Sequence, residues 1–244
     1  DIRALVHAGA DTFRLNMSHA SHEWAREVSA HVREAATDAP RARTVGLLFD
    51  LQGPSIRTGT LAEPLLLKEG DMVEFRHLDS DPALPLSTTV NYPGLVNDVS
   101  AGDPLLVDNG SMIMEVEAVT GDRITCAVQT NGQLGSRRHI NLPGVRLNLP
   151  ALTEKDRADI EVAVECGADF IAGSFVRDAD HVRELREQIQ ASGGHAQLIA
   201  KLEDQEAIKH LDDIIHASDI IMVARGDLGI EVHIEELPII QRRI

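Results

Sequence analysis

From residue 151 onward the chain alternates between two periods. Short apolar runs that read as strands, FIAGS (170 to 174), QLIAK (197 to 201) and DIIMVA (219 to 224), are separated by stretches with helical spacing. The first such stretch carries Ile160, Ala163 and Val164. Thr153 with Asp156 resembles a capping box at its start, and Gly167 supplies its stop. A second helix carries Val182, Leu185 and Ile189 and ends at Gly193-Gly194, and a third carries Ala207, Leu211 and Ile214. The first 50 residues do the same, with strand TFRLN (12 to 16), a helix bearing Trp24, Val28, Val32 and Ala35, and strand TVGLLFD (44 to 50). This alternation predicts a parallel sheet covered by helices.

Between residue 60 and about residue 147 the texture changes to short alternating runs such as PLLLKEGDMVEF, DPLLVDNGSMIMEVEAV and DRITCAVQT. Glu-Gly-Asp, Asp-Asn-Gly and Thr-Gly-Asp turns punctuate them, which predicts a small antiparallel β domain. It interrupts the βα series and is therefore an insertion at a strand end, where it could act as a lid. The expected boundaries are 1–59 and 148–244 for the α/β part and 60–147 for the insertion. A (β/α) barrel needs about 250 residues, and some 156 remain here outside the insertion. The pattern alone fits either an open doubly wound sheet or part of a barrel.

With 43% hydrophobic and 25% charged residues in 244, the composition is that of a globular protein with length for a large core. Aromatics are 3%, with one Trp and one Tyr, so stacking platforms for single-stranded nucleic acid are not supplied. A net charge of -16 repels nucleic acid and anionic membrane, and neither is expected as a partner. An anionic substrate would then need a local basic island. Cys126 and Cys166 have no metal-ligand spacing and read as two buried free thiols in a reducing cytosol. No run of 18 apolar residues exists, and the N-terminal DIRALVHAGAD lacks the regions of a signal peptide, so the expected location is cytoplasmic. The chain begins without Met inside a helical pattern and ends inside another, ELPIIQRRI, which reads as a piece cut from something longer.

The residues that carry chemistry lie at strand ends. Side chains i and i+2 of a strand share a face, so Lys201 and Glu203 project together. Of the four lysines, Lys68, Lys155 and Lys209 sit among polar neighbours where solvated cations are expected. Lys201 instead closes the apolar run Leu198-Ile199-Ala200, where a charge costs several kcal/mol unless it is paired or works on a ligand. The next run, IIMVARGDLGIE, leads to Asp227. A lysine and two carboxylates at adjacent strand mouths suit metal-assisted phosphate or enolate chemistry. A strand-end salt bridge explains Lys201 with one carboxylate equally well.

Eight segments in order, FRLNMSHASHE (13 to 23), DLQGPSIRTG (50 to 59), VDNG (107 to 110), GSRRHINLPG (135 to 144), LPALTEKD (149 to 156), SFVR (174 to 177), AKLE (200 to 203) and VARGDLGIE (223 to 231), resemble pyruvate kinase. The resemblance implies a (β/α)8 TIM barrel, here partial and running from the second barrel strand to just beyond the sixth, with a small antiparallel β-barrel lid domain inserted after the third strand. The implied reaction is the last step of glycolysis, transfer of a phosphoryl group from phosphoenolpyruvate to ADP, giving pyruvate and ATP. Implied ions are Mg2+ or Mn2+ and K+, and the implied parent is a homotetramer. By resemblance Glu203 and Asp227 hold the divalent ion, whose preference is for hard oxygen ligands. Gly226, beside Asp227 and before Gly229, lets backbone N–H groups approach the substrate carboxylate. Lys201, Arg14 and Arg57 would act on the phosphoryl group as catalytic residues, with Arg14, Lys201 and Asp227 also binding substrate. Asn16, Ser18, Asp50 and the carbonyl of Leu51 match the potassium site. Asn16, His19, Arg137 and Arg138 fall on the nucleotide side. Arg137 and Arg138 stand where the family often has lysines, and Asp108-Asn109 where many relatives have two aspartates. After Gly-Pro, where the family has Glu in potassium-dependent members and Lys in independent ones, this chain has Ser55. The family's enolate protonation involves a threonine from a segment this chain lacks, so the piece alone is expected to be inactive. Two rivals stand beside this reading: a magnesium-dependent pyruvate or oxaloacetate lyase or aldolase barrel, and a non-catalytic truncated paralogue.

Overall fold

The structure, a computed structural model, describes residues 1–38 and 44–244. In chain order the elements begin with α1 (Ile2–Ala8), β1 (Thr12–Asn16), α2 (His22–Thr37) and β2 (Gly46–Asp50). A β-rich middle follows with β3 (Leu65–Leu67), β4 (Met72–Arg76), β5 (Ser87–Thr89), α3 (Leu95–Asp98), β6 (Pro104–Val107), β7 (Met112–Thr120), β8 (Arg123–Val128), β9 (Gly132–Leu134) and β10 (Ile140–Asn141). The chain then runs through α4 (Glu154–Glu165), β11 (Phe170–Gly173), α5 (Ala179–Ala191), β12 (Gln197–Leu202), α6 (Gln205–Lys209), α7 (Leu211–Ala217), β13 (Ile220–Val223), α8 (Arg225–Glu231) and α9 (Leu237–Arg243). Two compact units result, residues 1–54 with 150–224, and residues 55–149 with 225–244. The sequence pattern groups 225–244 with the parallel sheet; the structure packs it with the β-rich middle.

In the first unit five strands pair in the order β1-β2-β11-β12-β13, every neighbour parallel. The order runs in one direction, whereas a doubly wound sheet reverses at a switch point. The α/β unit therefore fits part of a barrel, the alternative the pattern left open. Strand β2 is buried on both faces, as a helix-covered sheet requires. Leu48, Ala172 and Ile199 pack on one face with Phe170, Ile220 and Met222. Parallel pairing brings the C-terminal ends of these strands, with Asn16, Asp50, Ser174 and Glu203, to one end of the sheet.

The expected capping box is present at the start of α4, with reciprocal bonds between Thr153 and Asp156. Gly167 and Gly193 take the left-handed backbone that stops α4 and α5. Two expectations change. Trp24 is 45% exposed; α2 buries Val32 and Ala35 as expected, together with Ala25, Ser29 and Ala36. The single helix expected after β12 is two, α6 and α7, broken at His210. Cys126 is buried, but Cys166 is only half-buried.

In the second unit six strands pair in the order β10-β6-β7-β8-β4-β5, antiparallel except for the parallel pair β4 and β5, and β3 pairs separately with β9. Single bridges Arg57 to His139 and Thr58 to Val90 link residues 57 and 58 to both outer edges of the six-stranded sheet. Phe75, Val107, Met112, Met114, Ile124 and Cys126 are among its fully buried residues. Among the described residues no helix is long and apolar enough to cross a membrane.

Candidate active site

Lys201 lies on β12 and its side chain is 10% exposed. Its ammonium meets three oxygens: Ser174 Oγ at 2.6 Å, Glu203 Oε1 at 2.8 Å and Asp50 Oδ1 at 3.2 Å. The Asp50 contact is an ion pair without the alignment of a hydrogen bond, so that buried oxygen has no well-directed donor. Asp50 Oδ2 accepts from Arg14 Nε at 2.6 Å. Burial disfavours the Lys201 charge, but attraction to the Glu203 and Asp50 carboxylates outweighs it and holds the pKa above the ordinary lysine value. Two cations and two carboxylates thus form one nearly neutral cluster, with Glu203 and Asp50 1% and 2% exposed.

The surrounding backbone is fitted to this cluster. Ser174 has one hydroxyl proton and donates it to the Leu51 carbonyl at 2.8 Å, so it must accept from Lys201. Phe175 holds φ +56, uncommon for a bulky residue, while its N–H donates to Glu203 Oε2 at 2.6 Å. Gly53, at φ +69, donates its N–H to Asp156 Oδ1 at 3.0 Å. A Cβ at Gly53 would lie 2.7 Å from the Ser174 carbonyl oxygen.

Of the residues expected at the site, Arg14, Asp50, Lys201 and Glu203 are joined directly, and Leu51 enters through its carbonyl. Asn16 pairs in register with Asp50 and its side chain accepts from the Ser18 N–H at 3.0 Å, while Asn16 and His19 are exposed. Arg57, Arg137, Arg138, Gly226 and Asp227 belong to the second unit. There Arg57 donates to the Arg137 carbonyl at 3.2 Å and to Ser55 Oγ at 3.2 Å, and Arg138 pairs with Asp108 at 3.2 Å. Arg137, Asp108 and Asn109 all have positive φ, an unusual density of strained turn residues outside glycine. Asp227 lies half-buried in the first turn of α8. Among the described residues no three His, Cys, Asp or Glu side chains group as a ready metal cluster.

Sequence reasoning gave Ser174 no role and missed His139. Ser174 directly follows a strand, and that position was its available signal. Burial and then the Arg57 charge push the His139 pKa down to about 4, with Asp227 opposing. Nothing in the chain's pattern marks that environment.

The family model for the pyruvate kinase barrel domain matches residues 1–244. Plastidial pyruvate kinase 2 of Arabidopsis thaliana is 43% identical over 240 residues, 98% of this chain and 41% of that protein. Pyruvate kinase of Geobacillus stearothermophilus is 43% identical over 242 residues, covering 98% of this chain and 41% of the relative. The Mycobacterium tuberculosis enzyme is 41% identical over 243 residues, 99% of this chain and 51% of its own length. The chain thus spans about half the length of these relatives or less. With the family's barrel domain matched from end to end, and a lysine-carboxylate cluster at the C-terminal ends of its parallel strands, the chain belongs to the pyruvate kinase family.

Proposed function

We propose that the complete protein transfers the phosphoryl group of phosphoenolpyruvate to ADP, forming pyruvate and ATP. The observation that carries this reading is the buried set Lys201, Glu203 and Asp50, with the more exposed Arg14 paired to Asp50, at the C-terminal end of the parallel strands. Charges so buried are costly as structure and valuable as preorganised electrostatics. Lys201 supplies a fixed positive charge where charge develops on the phosphoryl group in flight, and Arg14 and Arg57 grip its oxygens. Glu203 offers a buried hard-oxygen ligand to Mg2+ or Mn2+, and on the family's pattern Asp227 supplies a second. A divalent ion in such a site neutralises phosphoryl and enolate charge. Gly226 leaves the backbone open to the substrate carboxylate. Residues 60–147 serve as the lid, bringing Arg137 and Arg138 to the ADP phosphates, with His19 and Asn16 on the nucleotide side. On family grounds the parent is a cytoplasmic homotetramer.

The potassium site follows from Asn16, Ser18, Asp50 and the Leu51 carbonyl. The donor chemistry fits: four oxygens, one of them the buried Asp50 Oδ1 that lacks a well-directed donor. Asp50 is not left without a counter-charge when no potassium is bound, since Arg14 and Lys201 both pair with it. Their presence makes the requirement softer than in relatives with Glu at the Ser55 position. Potassium should raise the rate of the complete enzyme above that in a bulky organic cation at matched ionic strength, with low affinity for K+. Equal rates in the two salts would remove the cation site and leave Arg14 and Lys201 as the whole positive complement of Asp50.

A further inference from the structure

Lys155 reads from the sequence as a solvated surface cation, and its side chain is exposed, but its ammonium is held by two partners. Its Nζ donates to the Met17 carbonyl at 2.7 Å and to Asp159 Oδ2 at 2.6 Å. Asp159 is 0% exposed, and its other oxygen lies 2.7 Å from His22 Nε2. The buried carboxylate thereby joins α4, which carries Lys155 and Asp159, to α2, which begins at His22.

What this network grips is the turn after β1. Met17 is fully buried, its N–H donates to the Asp50 carbonyl at 2.9 Å, and its own carbonyl is taken by Lys155. Both backbone polar groups of Met17 are therefore fixed, one in each of the peptides that flank it. Asn16 precedes it and Ser18 follows, and the Asn16 side chain closes the turn on the Ser18 N–H. An exposed i,i+4 ion pair alone contributes little and would explain neither the buried Asp159 nor the bond to a strand-end carbonyl.

We propose that Lys155, Asp159 and His22 are positioning residues that hold the 16–18 turn so that Asn16 and Ser18 present their oxygens beside Asp50. This rests on the proposed potassium site and deepens it, since none of the three belongs to the proposed ligand set. A ligand set fixed before binding avoids the ordering cost, so loss of the clamp should appear as weaker cation affinity.

The test uses the complete protein with Lys155→Met, which keeps the apolar stem and removes the donor, and Lys155→Arg, which restores a donor. Lys155→Met should raise the half-activating potassium concentration about tenfold, the effect of losing one charge-assisted hydrogen bond. Amide exchange across residues 16–20, measured without substrate, should quicken, and Lys155→Arg should recover most of both effects. A potassium constant within twofold of the parent in Lys155→Met, with only the melting temperature lowered, would reduce the network to a helix tie and overturn the proposal. So would a defect that Lys155→Arg leaves untouched. A parent indifferent to potassium would be seen before any variant is made, and would remove the cation site together with this inference.

Discussion

A buried lysine and a largely exposed arginine facing two buried carboxylates add little stabilisation, because desolvating the buried ions costs several kcal/mol and pairing roughly offsets it. Under the proposed function, Lys201, Arg14, Asp50 and Glu203 serve as a fixed charge array for a phosphoryl group more than as a support of the fold. His139 offers the clearest pH signature at this scale. Its pKa falls from 6.5 to about 4, chiefly through burial and then through Arg57. A lowered value means the folded state resists protonation. The stabilisation is complete above about pH 6.5 and is lost as pH falls toward 4, up to about 3 kcal/mol in all. Replacing His139 with Gln should flatten that part of the stability profile relative to the parent, measured by denaturant unfolding at pH 7, 5.5 and 4.5. Parallel profiles for the two proteins would show that His139 titrates as an ordinary histidine.

Among elements, the link between α4 and the strand ends governs how the site is held. Thr153 and Asp156 cap α4, and the same Asp156 takes the Gly53 N–H, so the helix start is tied to the turn after β2. Gly53 combines φ +69 with a Cβ position 2.7 Å from the Ser174 carbonyl. Gly53→Ala should therefore cost about 2 kcal/mol or more, from left-handed strain and from displacement of Ser174, the Lys201 partner. A melting temperature within a degree of the parent would contradict this. The cap, the glycine stops and the five parallel strands were legible because each depends on local chemistry or on a short apolar period. The exposure of Trp24 and the break at His210 were not, since both depend on which helix face meets the sheet. Likewise Lys155 and Asp159 share a helix turn in sequence, but their grip on Met17 spans 138 positions and is set by packing alone.

For the molecule as a whole, the strand order carries the fold and the proposed chemistry rests on the strand-end cluster. Five sequential parallel strands place chemically capable residues at one end, and a β-rich unit with its own core accompanies them. The sequence reached the barrel through motif resemblance, whereas strand order alone later separated it from a doubly wound sheet. The central claim is that Lys201 serves phosphoryl transfer rather than structure. Its most direct test is pyruvate formation from phosphoenolpyruvate and ADP by the complete protein, with magnesium and potassium present, beside the Lys201→Met variant. The parent should turn over, and the variant should lose roughly three orders of magnitude or more in kcat, the loss expected for a contact made in the transition state. A folded parent that forms no pyruvate with either magnesium or manganese, or a Lys201→Met variant keeping a tenth of parental activity, would contradict the account.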